Sequence, residues 1–93
     1  MTVAPELAAF RDAIDEIDQK ILELVAARVR IVLQVGEFKR ENGMTVYDPE
    51  RERRMLEQLC KDAPPPLDSD TVRRIFERLI DESRRIEQGH VTR

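Results

Sequence analysis

The chain has 93 residues, 41% hydrophobic and 38% charged, with a formal net charge of -3 at pH 7. That length suits one small domain whose own core is marginal, and the charge balance offers no global basic field for nucleic acid. With Cys60 the one cysteine and His90 the one histidine, an internal disulfide is impossible and a zinc site implausible.

The composition is helical: rich in Ala, Leu, Ile, Glu and Arg, with 3 glycines. No apolar run approaches the roughly twenty residues of a membrane span. The first stretch, "MTVAPELAAF", lacks a basic region followed by a continuous apolar segment, so no signal peptide is read there. The expectation is a soluble, cytoplasmic, all-α protein that contacts neither membrane nor nucleic acid.

From Leu7 the apolar residues step along as Leu7, Phe10, Ile14, Ile17, Ile21, Leu24, Ile31, Val35 and Phe38. The intervals alternate three and four, provided Arg28 fills one position, which makes a heptad seam. Val25, Val29, Val32 and Leu33 widen the stripe, as burial against more than one neighbour requires. Gly36 is a weak spot, and "ENG" at 41–43 ends the pattern. A helix over 6–40 is about 52 Å long, whereas a compact globule of this chain length is roughly 30 Å across. Something else must cover the stripe, and a second copy is the simplest cover. The sequence therefore predicts an intertwined homodimer, each chain with three helices and one of them very long.

The second helix is expected at 49–62. Asp48 caps it, Pro49 suits its first position, and Glu50 and Glu52 complement the positive helix end. Met55, Leu56, Leu59 and Cys60 form its apolar face, and "APPP" at 63–66 stops it. A third helix, 69–88, follows Asp68 or Ser69, presents Val72, Ile75, Phe76, Leu79, Ile80 and Ile86, and is expected to end at Gly89. These elements are read as a single domain over 1–93.

Several polar residues stand in apolar places. Arg28 on the seam reads either as a register-setting residue that snorkels to the edge, or as an inward cation. Lys39 lies about three turns further along the same face, roughly 16 Å away, although lysine is also favoured in any last helical turn. Arg11 is roughly 25 Å along the axis from Arg28, so the two can share a small ligand only if Arg11 comes from an antiparallel partner chain. Ser83 and Glu87 interrupt the third stripe, where Glu87 either reaches water near the helix end or faces the interior. Arg51 and Glu52 can lean toward the buried side of the second helix. Together these residues suit a small dianion held by paired cations. With no nucleophile–base pair, metal cluster or phosphate loop, the pattern fits a reaction that needs orientation and charge stabilisation alone.

The stretches "LAAFRDAIDEIDQKILELVAARVRIVLQVGEFK", "VYDPERER" and "IFERLIDESRRIE" resemble the all-helical chorismate mutases, over residues 7–88. The resemblance implies an intertwined dimer whose two sites each take one arginine from the partner chain, and the cofactor-free rearrangement of chorismate to prephenate. Arg11 of one chain and Arg28 of the other would bind the substrate carboxylates, helped by Arg51. Lys39 would donate to the ether oxygen, and Glu52 would hold the ring hydroxyl. Asp48 and Ser83 would border the site, with Val35 and Ile80 as apolar walls. Glu50 and Arg53 would stay on the solvent side. Many bacterial members carry glutamine where this chain has Glu87. A glutamate donates to the ether oxygen only while protonated, so a neutral Glu87 and turnover that improves toward acid pH are expected. Alternatives on the same fold are an isochorismate-pyruvate lyase and a 4-amino-4-deoxychorismate mutase. A helical subunit that docks on a biosynthetic enzyme is another. The stretches show no second domain for processing prephenate, so a monofunctional chain is expected.

Overall fold

A computed structural model describes residues 3–91, with three helices and, among the described residues, no strand. They are α1 (Val3–Glu41), α2 (Pro49–Lys61) and α3 (Ser69–Val91). None of them is long and apolar enough to cross a membrane. The chain divides into two units, with the boundary between Arg30 and Ile31.

The first unit is the N-terminal part of α1. Its proline, Pro5, falls in the first turn, where the missing amide hydrogen costs nothing. Leu7, Phe10, Ile14, Ile17, Ile21 and Leu24 are all exposed, from 46% for Leu7 to 70% for Leu24. The heptad seam is present and uncovered.

The second unit holds the end of α1 together with α2 and α3, which pack on each other. The α1 helix stops in a Schellman arrangement. The amide of Met44 donates to the Lys39 carbonyl at 2.8 Å and that of Gly43 to the Arg40 carbonyl at 3.3 Å. Gly43 takes φ +65, the left-handed conformation that a side chain would disfavour. At the start of α2, Asp48 accepts from the Arg51 amide at 3.1 Å, and Pro49 follows directly. Glu50 and Arg53 are both exposed and paired with each other.

The core of this unit is thin. Cys60, Val72 and Ile80 are its buried apolar residues, and none of the large side chains among the described residues is fully enclosed. Where α2 gives way to α3, Ser69 Oγ donates to the Cys60 carbonyl at 3.0 Å, stitching the two helix ends together. The third helix runs past Gly89 to Val91 rather than ending there. Glycine costs a helix about 1 kcal/mol but does not forbid it. Beyond it, His90 Nε2 lies 3.1 Å from Glu37 Oε1, an exposed contact between the last turn of α3 and the end of α1.

The start of α3 is a capped terminus whose strength depends on charge. Asp68 Oδ1 accepts from the Thr71 amide at 2.8 Å, and this bond holds the Asp68 carboxyl below its ordinary range. A lowered folded-state value means that the cap's contribution is present above the unfolded value, about pH 4, and is lost as pH falls through the folded one. Asp68→Ala should lower the thermal midpoint at neutral pH, and the gap from the parent should close in acid. Asp68→Asn, which caps at any pH, should stay near the parent at neutrality. Circular dichroism melts across the acid range check both outcomes.

Candidate active site

Ten side chains are expected at a site, and the two units divide them. Arg11 and Arg28 belong to the first unit, on α1, where Arg11 is exposed and Arg28 half-buried. The other eight, Val35, Lys39, Asp48, Arg51, Glu52, Ile80, Ser83 and Glu87, belong to the second.

In the second unit α3 is the central carrier. Ile80, Ser83 and Glu87 recur at three- and four-residue spacing on one face, and all three are buried. Ser83 is 4% exposed and its Oγ donates to the Leu79 carbonyl at 2.7 Å, so the hydroxyl is oriented by its own helix. Glu87 is 9% exposed, far lower than a residue near a frayed helix end that reaches water. Its Oε2 accepts from Arg40 Nη1 at 2.7 Å. Arg40 does not stand out in the sequence, because a basic residue in the last turn of a helix has an ordinary explanation.

Gly36 is what lets this pair lie against α1. A Cβ on Gly36 would stand 2.8 Å from Glu87 Oε2 and 3.3 Å from Arg40 Nη1. The break in the apolar pattern at Gly36 is therefore the seat of a carboxylate–guanidinium pair. Lys39, one turn from it, sends its Nζ to the Val46 carbonyl at 3.3 Å, across the loop that leads into α2. Val35 remains 46% exposed.

The start of α2 supplies the acidic side. Asp48 uses one carboxylate oxygen on the helix cap, and Arg51, whose amide makes that bond, has an exposed side chain. Glu52 is half-buried and held by α3: Arg84 Nη2 donates to its two oxygens at 2.6 and 2.8 Å. The Arg84 guanidinium also lies over the Tyr47 ring, 4.7 Å from its centroid. Neither Arg84 nor Tyr47 stands out in the sequence. Arg84 sits next to Ser83 in a run of charged residues, and its partner Glu52 is 32 residues away.

The second unit thus gathers the end of α1, the start of α2 and the buried face of α3. It holds two ion pairs between helices, Arg40 with Glu87 and Arg84 with Glu52, and Ser83 lies buried on the same face of α3 as Glu87. No group of His, Cys, Asp and Glu suited to a metal ion occurs among the described residues. Oriented cations and hydrogen-bonding groups of this kind stabilise charge and hold a conformer.

Known proteins share the pattern. Residues 10–88 match the family described as chorismate mutase type II. The chorismate mutase of Methanocaldococcus jannaschii is 35% identical over 89 residues, which cover 92% of this chain and 88% of that protein. The T-protein of Enterobacter agglomerans is 44% identical over 76 residues, and the matched part is 20% of its length. Among solved structures, chorismate mutase (form II) from Thermus thermophilus superimposes with a TM-score of 0.84 at 32% identity, covering 89% of this chain and 94% of the other. A family match that runs from Phe10 on α1 to Gln88 on α3, together with a fold match over 89% of the chain, places the chain in the type II chorismate mutase family.

Proposed function

We propose that this chain is a chorismate mutase domain, which rearranges chorismate to prephenate within one molecule: an ether C–O bond breaks as a C–C bond forms. The observation that carries the reading is similarity along 88% of a relative that is itself named chorismate mutase. The reaction asks the protein to hold a compact diaxial conformer and to place positive charge where the ether oxygen becomes negative. In this reading Arg28, Arg51 and the partner chain's Arg11 bind the two carboxylates. Lys39 donates to the ether oxygen, and Glu52 accepts from the ring hydroxyl; Glu87, paired with Arg40 as a carboxylate, adds a second donor only if that pair opens and it takes up a proton. Asp48 and Ser83 border the substrate, with Val35 and Ile80 as walls. No cofactor takes part in any of these steps.

The partner chain is part of the proposal. The apolar seam from Leu7 to Phe38 is exposed along its length in the single chain. Burying an aliphatic or aromatic side chain stabilises by about 1.5–3 kcal/mol, so a second copy laid on this seam gains from each residue it covers. The same reading sets the protein in the cytoplasm, where a chain with one free cysteine has no need of an oxidising compartment.

Pure protein incubated with chorismate should yield prephenate, and Arg28→Ala should lose at least about a hundredfold in kcat/KM, since one desolvated carboxylate loses its charge partner. No product from the parent protein, or full activity in the variant, defeats the assignment. Sedimentation at assay concentration should give a dimer. Glu87→Gln, whose amide donates without first taking up a proton, should raise kcat for chorismate at neutral pH. Gly36→Ala tests the seat of Glu87. The added methyl displaces the carboxylate, so kcat should fall about tenfold or more. The helix gains about 1 kcal/mol of propensity to offset the disturbed ion pair, so the melting temperature should hardly move.

A further inference from the structure

Glu52 does not stand in the structure as a lone carboxylate. One terminal nitrogen of Arg84 donates to both of its oxygens, at 2.6 and 2.8 Å. The guanidinium is held in turn by the Tyr47 ring at 4.7 Å and by the Asp81 carboxylate, 3.8 Å from the other terminal nitrogen. A fork-shaped, stackable cation suits that arrangement, and a lysine would make fewer of its contacts. Glu52, Ile80 and Arg84 line one hollow of about 460 Å³ with Tyr47 and Leu56.

We propose that Arg84 is a specificity-determining residue: paired with Glu52, it makes the subsite accept a neutral hydroxyl on the substrate ring and reject a protonated amine. The inference rests on the reading of the site as that of a chorismate mutase and adds to it the choice of ring substituent. A carboxylate offers about four lone-pair positions, so the two contacts from Arg84 leave room for a hydroxyl donor. A hydroxyl needs an acceptor and no net negative charge. An ammonium group gives up much stronger hydration and needs a full counter-charge to replace it. The Glu52–Arg84 pair is neutral as a unit, and its guanidinium opposes a second cation placed on the same carboxylate.

Two further acidic residues, Glu77 and Asp81, line the hollow and act in the opposite direction. Glu77 is exposed and the Asp81 side chain is 67% exposed, so water and salt screen both. Arg84 and Glu52 are less exposed, at 38% and 30%, and are in direct contact, so their attraction is the less screened one.

The test compares kcat/KM for chorismate and for 4-amino-4-deoxychorismate in the parent protein, Arg84→Met, Arg84→Gln and Arg84→Lys. The parent should prefer chorismate, and each neutral variant should shrink that preference about tenfold or more, equivalent to roughly 1.4 kcal/mol, mainly through a lower KM for the amine. Arg84→Lys, which keeps the charge, should retain most of the preference. An unchanged ratio in the neutral variants, with chorismate still turned over, overturns the role of Arg84 and leaves the chorismate mutase reading intact. Loss of the fold in both neutral variants assigns Arg84 a structural tie alone and also overturns it. A parent protein that converts neither substrate overturns the underlying reading as well.

Discussion

An uncovered apolar seam is the constraint on which the rest of this protein depends. Helix α1 places Leu7, Phe10, Ile14, Ile17, Ile21 and Leu24 on one face, and the single chain leaves all six exposed. Among the described residues the buried apolar core is Cys60, Val72 and Ile80, with Ser83 and Glu87 also buried. So small a core cannot offset the conformational entropy of ordering three helices. The proposed second copy would resolve the imbalance, and it would bring Arg11, far along the helix, to the proposed site.

Within the second unit, charge pairs act where apolar contact is scarce. Arg40 joins the end of α1 to Glu87 on α3, and Arg84 joins α3 to Glu52 at the start of α2. Both pairs are partly buried, so each partner depends on the other: removing one leaves a poorly solvated charge behind. Residues that fasten the helices are also the residues that surround the candidate site. A binding surface assembled from such ties keeps its geometry without a large hydrophobic interior. Gly36 fits this economy, since a missing methyl group gives Glu87 and Arg40 their place on the α1 backbone.

The helices were largely legible in advance because their signals are local. Asp48 with Pro49 marks the start of α2, and Asp68 that of α3. The "ENG" stretch announces the turn in which Gly43 adopts its left-handed conformation. Gly89 misled for an equally physical reason: glycine costs a helix about 1 kcal/mol without forbidding it, and α3 runs on to Val91. Among the candidate site residues, those that interrupt an apolar stripe, such as Ser83 and Glu87, could be read from periodicity alone. Arg40, Arg84 and Tyr47 could not, since charged and aromatic residues near helix ends have common surface explanations.

The sequence by itself determined the all-α class, the long seam and the breaks in the third apolar stripe at Ser83 and Glu87. These follow from the helical repeat, which links neighbours three and four positions apart. Only the tertiary structure decided which charges meet: that Glu87 pairs with Arg40, 47 residues away, and Glu52 with Arg84, 32 residues away. The physical reason is that hydrophobic patterning specifies faces, whereas ion pairing depends on the register of one face against another. That register is set by packing across the whole unit and leaves no local trace in the chain.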